Sequence, residues 1–79
     1  MDEWLTRARD ALAQEAGLEA SELDLSDDEA RALLGLARVA AHDSGDRRNA
    51  PLLCYLVGLA RRDGADVERL AGAVARSNS

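Results

Sequence analysis

The sequence has no lysine and no phenylalanine, and one residue each of cysteine, proline, tryptophan, tyrosine and histidine. Each shortage removes a class of protein. A lone Cys54 leaves no disulfide to form within the chain. Scarce aromatic and β-branched side chains speak against a β-sandwich, because those residues fit the pleated sheet best. All ten basic residues are arginines, set against fifteen acidic ones for a net charge of −5. A nucleic-acid binder neutralises phosphates with a basic face, so this balance excludes nucleic acid as a partner. The longest apolar run, Ala50 to Ala60, is far short of the roughly 20 residues that cross a bilayer. No membrane association is expected. The start, Met1-Asp2-Glu3, has neither the positive charge nor the apolar stretch of a secretory signal. A soluble, cytoplasmic protein is the expectation.

What the chain does contain is alanine and leucine, which dominate its 47% apolar content and lead the scale of helix formers. Seventy-nine residues make one small domain, 1–79, which would bury about 60% of the surface its unfolded chain exposes. The expected class is all-α, a compact four-helix bundle-like domain with helices near 2–16, 27–43, 51–63 and 66–76.

Asp2 can cap the first helix, and Trp4, Leu5, Ala8, Ala11, Leu12 and Ala16 share its apolar side. Gly17 supplies the backbone freedom expected just past the helix end. In the connector "LEASELDL", Leu18, Leu23 and Leu25 are expected to tuck beneath it, with a single turn at 21–23. Ser26 and Glu29 then form a capping box, and Asp27, Asp28 and Glu29 suit the positive end of the helix dipole. The second helix is apolar on most of its circumference, apart from Arg31, Gly35, Arg38 and His42. Spacings of four, three and four draw these into one stripe, so the helix is expected at the centre with only that stripe reaching solvent.

Pro51 is expected at the first position of the third helix. Leu52, Leu53, Cys54, Tyr55, Leu56, Val57, Leu59 and Ala60 are apolar on every side. That helix should be buried, inside the monomer or against a second copy, with Gly58 permitting close backbone approach. Leu56→Ala would then cost about 2–5 kcal/mol, as for a buried leucine. Arg61 and Arg62 suit the C-terminal dipole, and Gly64 ends the helix. The fourth helix carries Val67, Leu70, Ala71 and Val74 at i, i+3, i+4 and i+7, after a cap at Asp66.

Candidate chemistry gathers around "AHDSGDRRNAPLL", residues 41–53. His42, Asp43 and Ser44 are the members of a hydrolase triad, but sequence neighbours at a helix end do not meet as nucleophile, base and orienter. No catalytic residue is assigned, and the expectation is a protein that is not an enzyme. His42 with Asp43 and Asp46 is a weak metal set, with a single imidazole and no cysteine partner. A calcium loop beginning at Asp24 would need glycine where Glu29 stands and a bidentate Glu where Gly35 stands. No metal and no cofactor is expected. Arg31, Arg38, His42, Arg47 and Arg48 are candidate binding residues for a phosphate, a carboxylate or an acidic partner surface, against the plainer reading of a solvated stripe and a self-capping connector. No glycine-rich phosphate loop accompanies them. Leu52, Tyr55, Leu56 and Leu59 are candidate interface residues, for a homodimer or another protein.

The segments "EWL" at Glu3–Leu5, "GL" at Gly17–Leu18, "LARVAAH" at Leu36–His42, and "APL" with "LVGLA" within Ala50–Ala60 carry a resemblance. The chain resembles a family of short helical bacterial proteins of unknown function, common in actinobacteria. Some are labelled as, or fused to, molybdenum cofactor guanylyltransferase. Relatives continue past the histidine into an Arg-Pro-Ala-Ala-Pro-like run. Here Arg48 or Asn49 replaces the first proline, and "LCY" at Leu53–Tyr55 stands where threonines and a phenylalanine are usual. By resemblance, His42, Arg47 and Pro51 are positions of a binding loop. The guanylyltransferase chemistry belongs to a separate nucleotide-binding domain, so no activity is carried over. The resemblance implies an accessory domain whose partner is a molybdenum cofactor nucleotidyltransferase. The alternatives are a self-associating structural protein and a small anionic-ligand binder using the Arg/His stripe.

Overall fold

The computed structural model describes residues 2–61 and 66–77. The domain is all-α, with α1 at Glu3–Ala16, a 3-10 turn at Ala20–Leu23, α2 at Asp27–Ser44, α3 at Asn49–Arg61 and α4 at Val67–Ser77. Four helices were expected, and four are present among the described residues.

The helix ends are fixed by the side chains that the sequence supplies. Asp2 Oδ1 accepts the Leu5 N–H at 2.8 Å. Past the other end of α1, Gly17 adopts φ 71°. Its N–H reaches the Gln14 carbonyl and the Leu18 N–H that of Ala13, the pair of bonds that closes a helix on a left-handed residue. At α2, Glu29 N–H donates to Ser26 Oγ at 3.0 Å and Ser26 N–H to Glu29 Oε1 at 2.9 Å. The capping box is complete. Asp66 Oδ1 accepts the Glu68 N–H at 2.7 Å and so starts α4.

The third helix begins earlier than expected. Asp46 accepts the backbone N–H of Arg48, and the Asn49 and Ala50 N–H groups bond to the carbonyls of Asp46 and Arg47. This turn opens α3 at Asn49 and leaves Pro51 as its third residue rather than its first. Its lost N–H costs nothing there, since the first-turn N–H groups have no partner within the helix. The expected end of the helix near residue 63, with Arg62 and Gly64, lies outside the described residues.

The core is built by α2, α3 and α4. Leu36, Val57 and Val67 are buried, and Ala32, Leu33, Leu53, Leu70, Ala71 and Val74 pack around them. Small side chains let three helices close without aromatic filling. The Arg61 guanidinium reaches Glu29 Oε2 at 2.8 Å and ties the end of α3 to the start of α2.

One expectation about burial is narrowed and two others are corrected. The third helix is not buried on all sides within the monomer: Leu52 is 62% exposed, Tyr55 67% and Leu56 58%. With two neighbours, a helix can cover only the side turned between them. Gly58 likewise makes no close approach, since a Cβ built there meets nothing within 4 Å. The second helix shows more than the Arg31–His42 stripe to solvent, because Leu34 and Val39 are exposed as well. Trp4 and Tyr55, the only aromatics, both stand on the surface.

α1 lies apart from this core. It packs on the 3-10 turn, and no Cα of α1 comes within 8 Å of one in α2, α3 or α4. The molecule is accordingly elongated, 38 × 25 × 20 Å.

Candidate docking surface

Between Asn49 and Ala60, α3 carries no charged side chain. Its inward side holds Val57, which is buried, and Leu53 and Cys54, which are partly covered. Cys54 Sγ lies 4.0 Å from the Leu33 carbonyl, at the seam with α2. The opposite side presents Leu52, Tyr55, Leu56 and Leu59, all exposed. Spacings of three, one and three place them on a single face.

That face continues into a groove of about 320 Å³ between the ends of α2, α3 and α4. Val39, Ala40, Leu53, Leu56 and Val74 form its apolar walls, and Asp43, Ser44 and Asn49 its polar mouth. A hollow of this size takes one or two large side chains. An exposed leucine row beside an apolar groove is the geometry that receives an amphipathic helix.

The candidate binding residues of the α2 stripe and the connector are placed differently. Arg31 Nη1 is paired with Asp28 Oδ1 at 3.0 Å, and both are exposed. It lines a shallow depression with Ala32, Asp28 and Glu68, where two carboxylates oppose an anionic ligand. Arg48 is turned onto Asp46, with Nε at 3.0 Å from Oδ1 and Nη2 at 2.7 Å from Oδ2. The Arg48 guanidinium, followed by its backbone N–H, holds the Asp46 carboxyl below the usual carboxylate range. Arg38, His42 and Arg47 are exposed. The connector is therefore rich in local bonds: Ser44 Oγ accepts the Asp46 N–H at 3.2 Å, and Gly45 takes φ 72° at the end of α2. His42, Asp43 and Asp46 gather no metal set, and among the described residues no group of three His, Cys, Asp or Glu is arranged to hold an ion.

A second apolar surface, on α1, was not singled out from the sequence. Leu5, Ala8, Leu12 and the Arg9 stem surround a hollow of about 280 Å³ with Leu23 and Leu25 of the connector. Leu12 is 63% exposed and Trp4 70%. Arg9 is bound by both Asp10 and Asp24, which fastens the connector to α1. The signal for this surface was present, since Leu5 and Leu12 stand seven residues apart, as Leu52 and Leu59 do.

Among the described residues, no helix is long and apolar enough to cross a membrane. No curated protein and no solved structure matches the chain. A family model spans all of it, residues 1–79, and the chain belongs to that family, a domain of unknown function (DUF6457).

Proposed function

We propose that this protein is a non-catalytic interaction module whose working surface is the outer face of α3. The observation that carries the reading is the row Leu52, Tyr55, Leu56 and Leu59, exposed together on one helix face. Burying that row against a partner would remove from water side chains worth about 1.5–3 kcal/mol each when fully covered. Tyr55 is suited to anchor the centre, with a large ring and a hydroxyl that can stay wet at the rim. The activity proposed is binding.

The partner class we propose is a molybdenum cofactor nucleotidyltransferase, with the chain as its accessory domain. What supports this is the resemblance carried by Leu36–His42 and Ala50–Ala60, which runs through α2 and α3. The test is a titration of the purified chain against that enzyme from the same host, with a Tyr55→Glu variant alongside. Saturable binding by the native chain, weakened at least about 100-fold by the buried charge, is expected. No binding by the native chain removes this partner.

A further inference from the structure

We infer that the outer face of α3 is covered by α1 of a second copy of this chain, each protomer lending its first helix to the other. The inference rests on reading α3 as the docking face, and any other partner at that face would have to displace the exchanged helix.

Area is the first argument. The chain exposes 6091 Å² for a mass of 8.4 kDa. Folded monomers of this mass expose about 4,600 Å², so the surplus is about 1,500 Å². A stable interface covers about 800 Å² on each partner. The surplus is thus ample for a dimer, and an exchanged pair contains the α1–α3 contact twice.

Shape is the second. α1 has 14 residues and α3 has 13, so both are about 20 Å long. Leu5 and Leu12 on α1 repeat every seven residues, matching Leu52 and Leu59 on α3. Between them α1 offers Ala8 and Ala11, while α3 offers Tyr55 and Leu56. Small residues opposite large ones are what let side chains of two helices interdigitate.

Charge is the third. α1 carries Glu3, Asp10 and Glu15 against Arg7 and Arg9, whereas α3 has no acidic residue, follows Arg47 and Arg48 and ends on Arg61, with Arg48 paired to Asp46 and Arg61 to Glu29. Two α3 helices packed antiparallel would bring their arginines together, and two α1 helices would oppose their carboxylates. Crossing α1 with α3 joins opposite signs, and like-charge juxtaposition is the costly alternative. Its own α3 is not served by α1, which the Arg9–Asp24 pair holds against the connector.

The test begins with sedimentation equilibrium of the full chain. A species of twice 8.4 kDa is expected at tens of micromolar, with the emission of the sole tryptophan, Trp4, moving to the blue as concentration rises. Leu12→Glu and Leu56→Glu each change an exposed side chain, so each should fold, as checked by circular dichroism. Each should raise the dimer dissociation constant at least about 100-fold. Dimerisation abolished by Leu56→Glu but untouched by Leu12→Glu overturns the exchange in favour of α3 against α3. In a Cys54→Ala background, chains carrying Leu12→Cys and chains carrying Leu56→Cys are then mixed and oxidised. Disulfide-linked pairs of the two chains support the exchange. A bond that forms only inside a doubly substituted chain overturns it, because α1 then covers its own α3. A native chain that stays at 8.4 kDa but binds the nucleotidyltransferase also overturns the exchange and leaves the docking face standing. A dimer that does not bind the enzyme has the reverse meaning.

Discussion

α3 and α4 are neighbours in one small core, yet they use their apolar residues differently. α4 has Val67, Leu70, Ala71 and Val74 on its inward side, while Glu68, Arg69 and Arg76 are exposed. Its hydrophobic content is spent once. α3 places Val57 and Leu53 in the same core and still has Leu52, Tyr55, Leu56 and Leu59 outside it. A helix with one apolar stripe is finished when one layer covers it, whereas a helix apolar all round needs a second layer. Among the described residues its own chain does not cover that outer face, which is why α3 and not α4 is the proposed docking element.

The contrast can be broken or sharpened by substitution, measured as urea unfolding at concentrations where the chain is monomeric. The largest effect belongs to the shared core: Leu36→Ala, at a position 5% exposed, should cost about 2–5 kcal/mol. A loss below about 1 kcal/mol would mean that α2 does not hold the core together. Ser26→Ala removes the hydroxyl that accepts the Glu29 N–H and should cost about 1 kcal/mol. Gly58→Ala should stabilise by about 0.5–1 kcal/mol, because open space surrounds the new methyl and the unfolded chain loses freedom. Destabilisation there would show a backbone contact at that residue. Leu56→Ala should stay within about 1 kcal/mol in the monomer, well below the 2–5 kcal/mol of a buried leucine.

The smallest effect concerns acid. The Ser26 N–H that Glu29 accepts, and then the nearby Arg61, hold the Glu29 carboxyl below its ordinary range. A depressed carboxyl contributes stability above its unfolded pKa of about 4.3, and that contribution is lost as pH falls through the lower folded value. Thermal melts from about pH 5 to pH 3 should therefore fall less for Glu29→Gln than for the native chain. Equal losses would show that neither the Ser26 cap nor Arg61 favours the charged Glu29 in the folded chain.

Much of the fold was legible in the residues because its signals are local. Asp2, Ser26 with Glu29, Gly17 and Asp66 each act within a few positions, and the helix ends they implied are the ones observed. The start of α3 was misplaced because the Asp46 carboxylate organises a turn onto Arg48 and its backbone, and that bond outweighed the preference of Pro51 for a first position. The covered side of α3 was not legible at all. Periodicity says which residues share a face, and it cannot say how many neighbours a helix will find. For the same reason spacing alone did not say what the apolar side of α1 meets, and α1 packs on the 3-10 turn rather than on the other helices. At the candidate sites, the leucine and tyrosine row fell on one face because helical spacing alone fixes it. Spacing drew Arg31, Arg38 and His42 into one stripe, but it does not show which carboxylate each arginine takes: Arg31 turns to Asp28 and Arg48 to Asp46.

The strand of chain between Asp24 and Ser26 has a mechanical consequence. Asp24 and Ser26 are both extended, with ψ of 149° and 161°. Asp24 is clamped to Arg9 on one side, and Ser26 is locked into the α2 cap on the other. Torsion between the two halves of the molecule is thereby concentrated on the bonds around Leu25. α1 acts as a lever on that pivot: a rotation of 30° would swing the tip of a helix about 20 Å long through roughly 10 Å. The orientation of the first helix therefore depends on the backbone dihedrals of Asp24, Leu25 and Ser26, the residues between the 3-10 turn and α2.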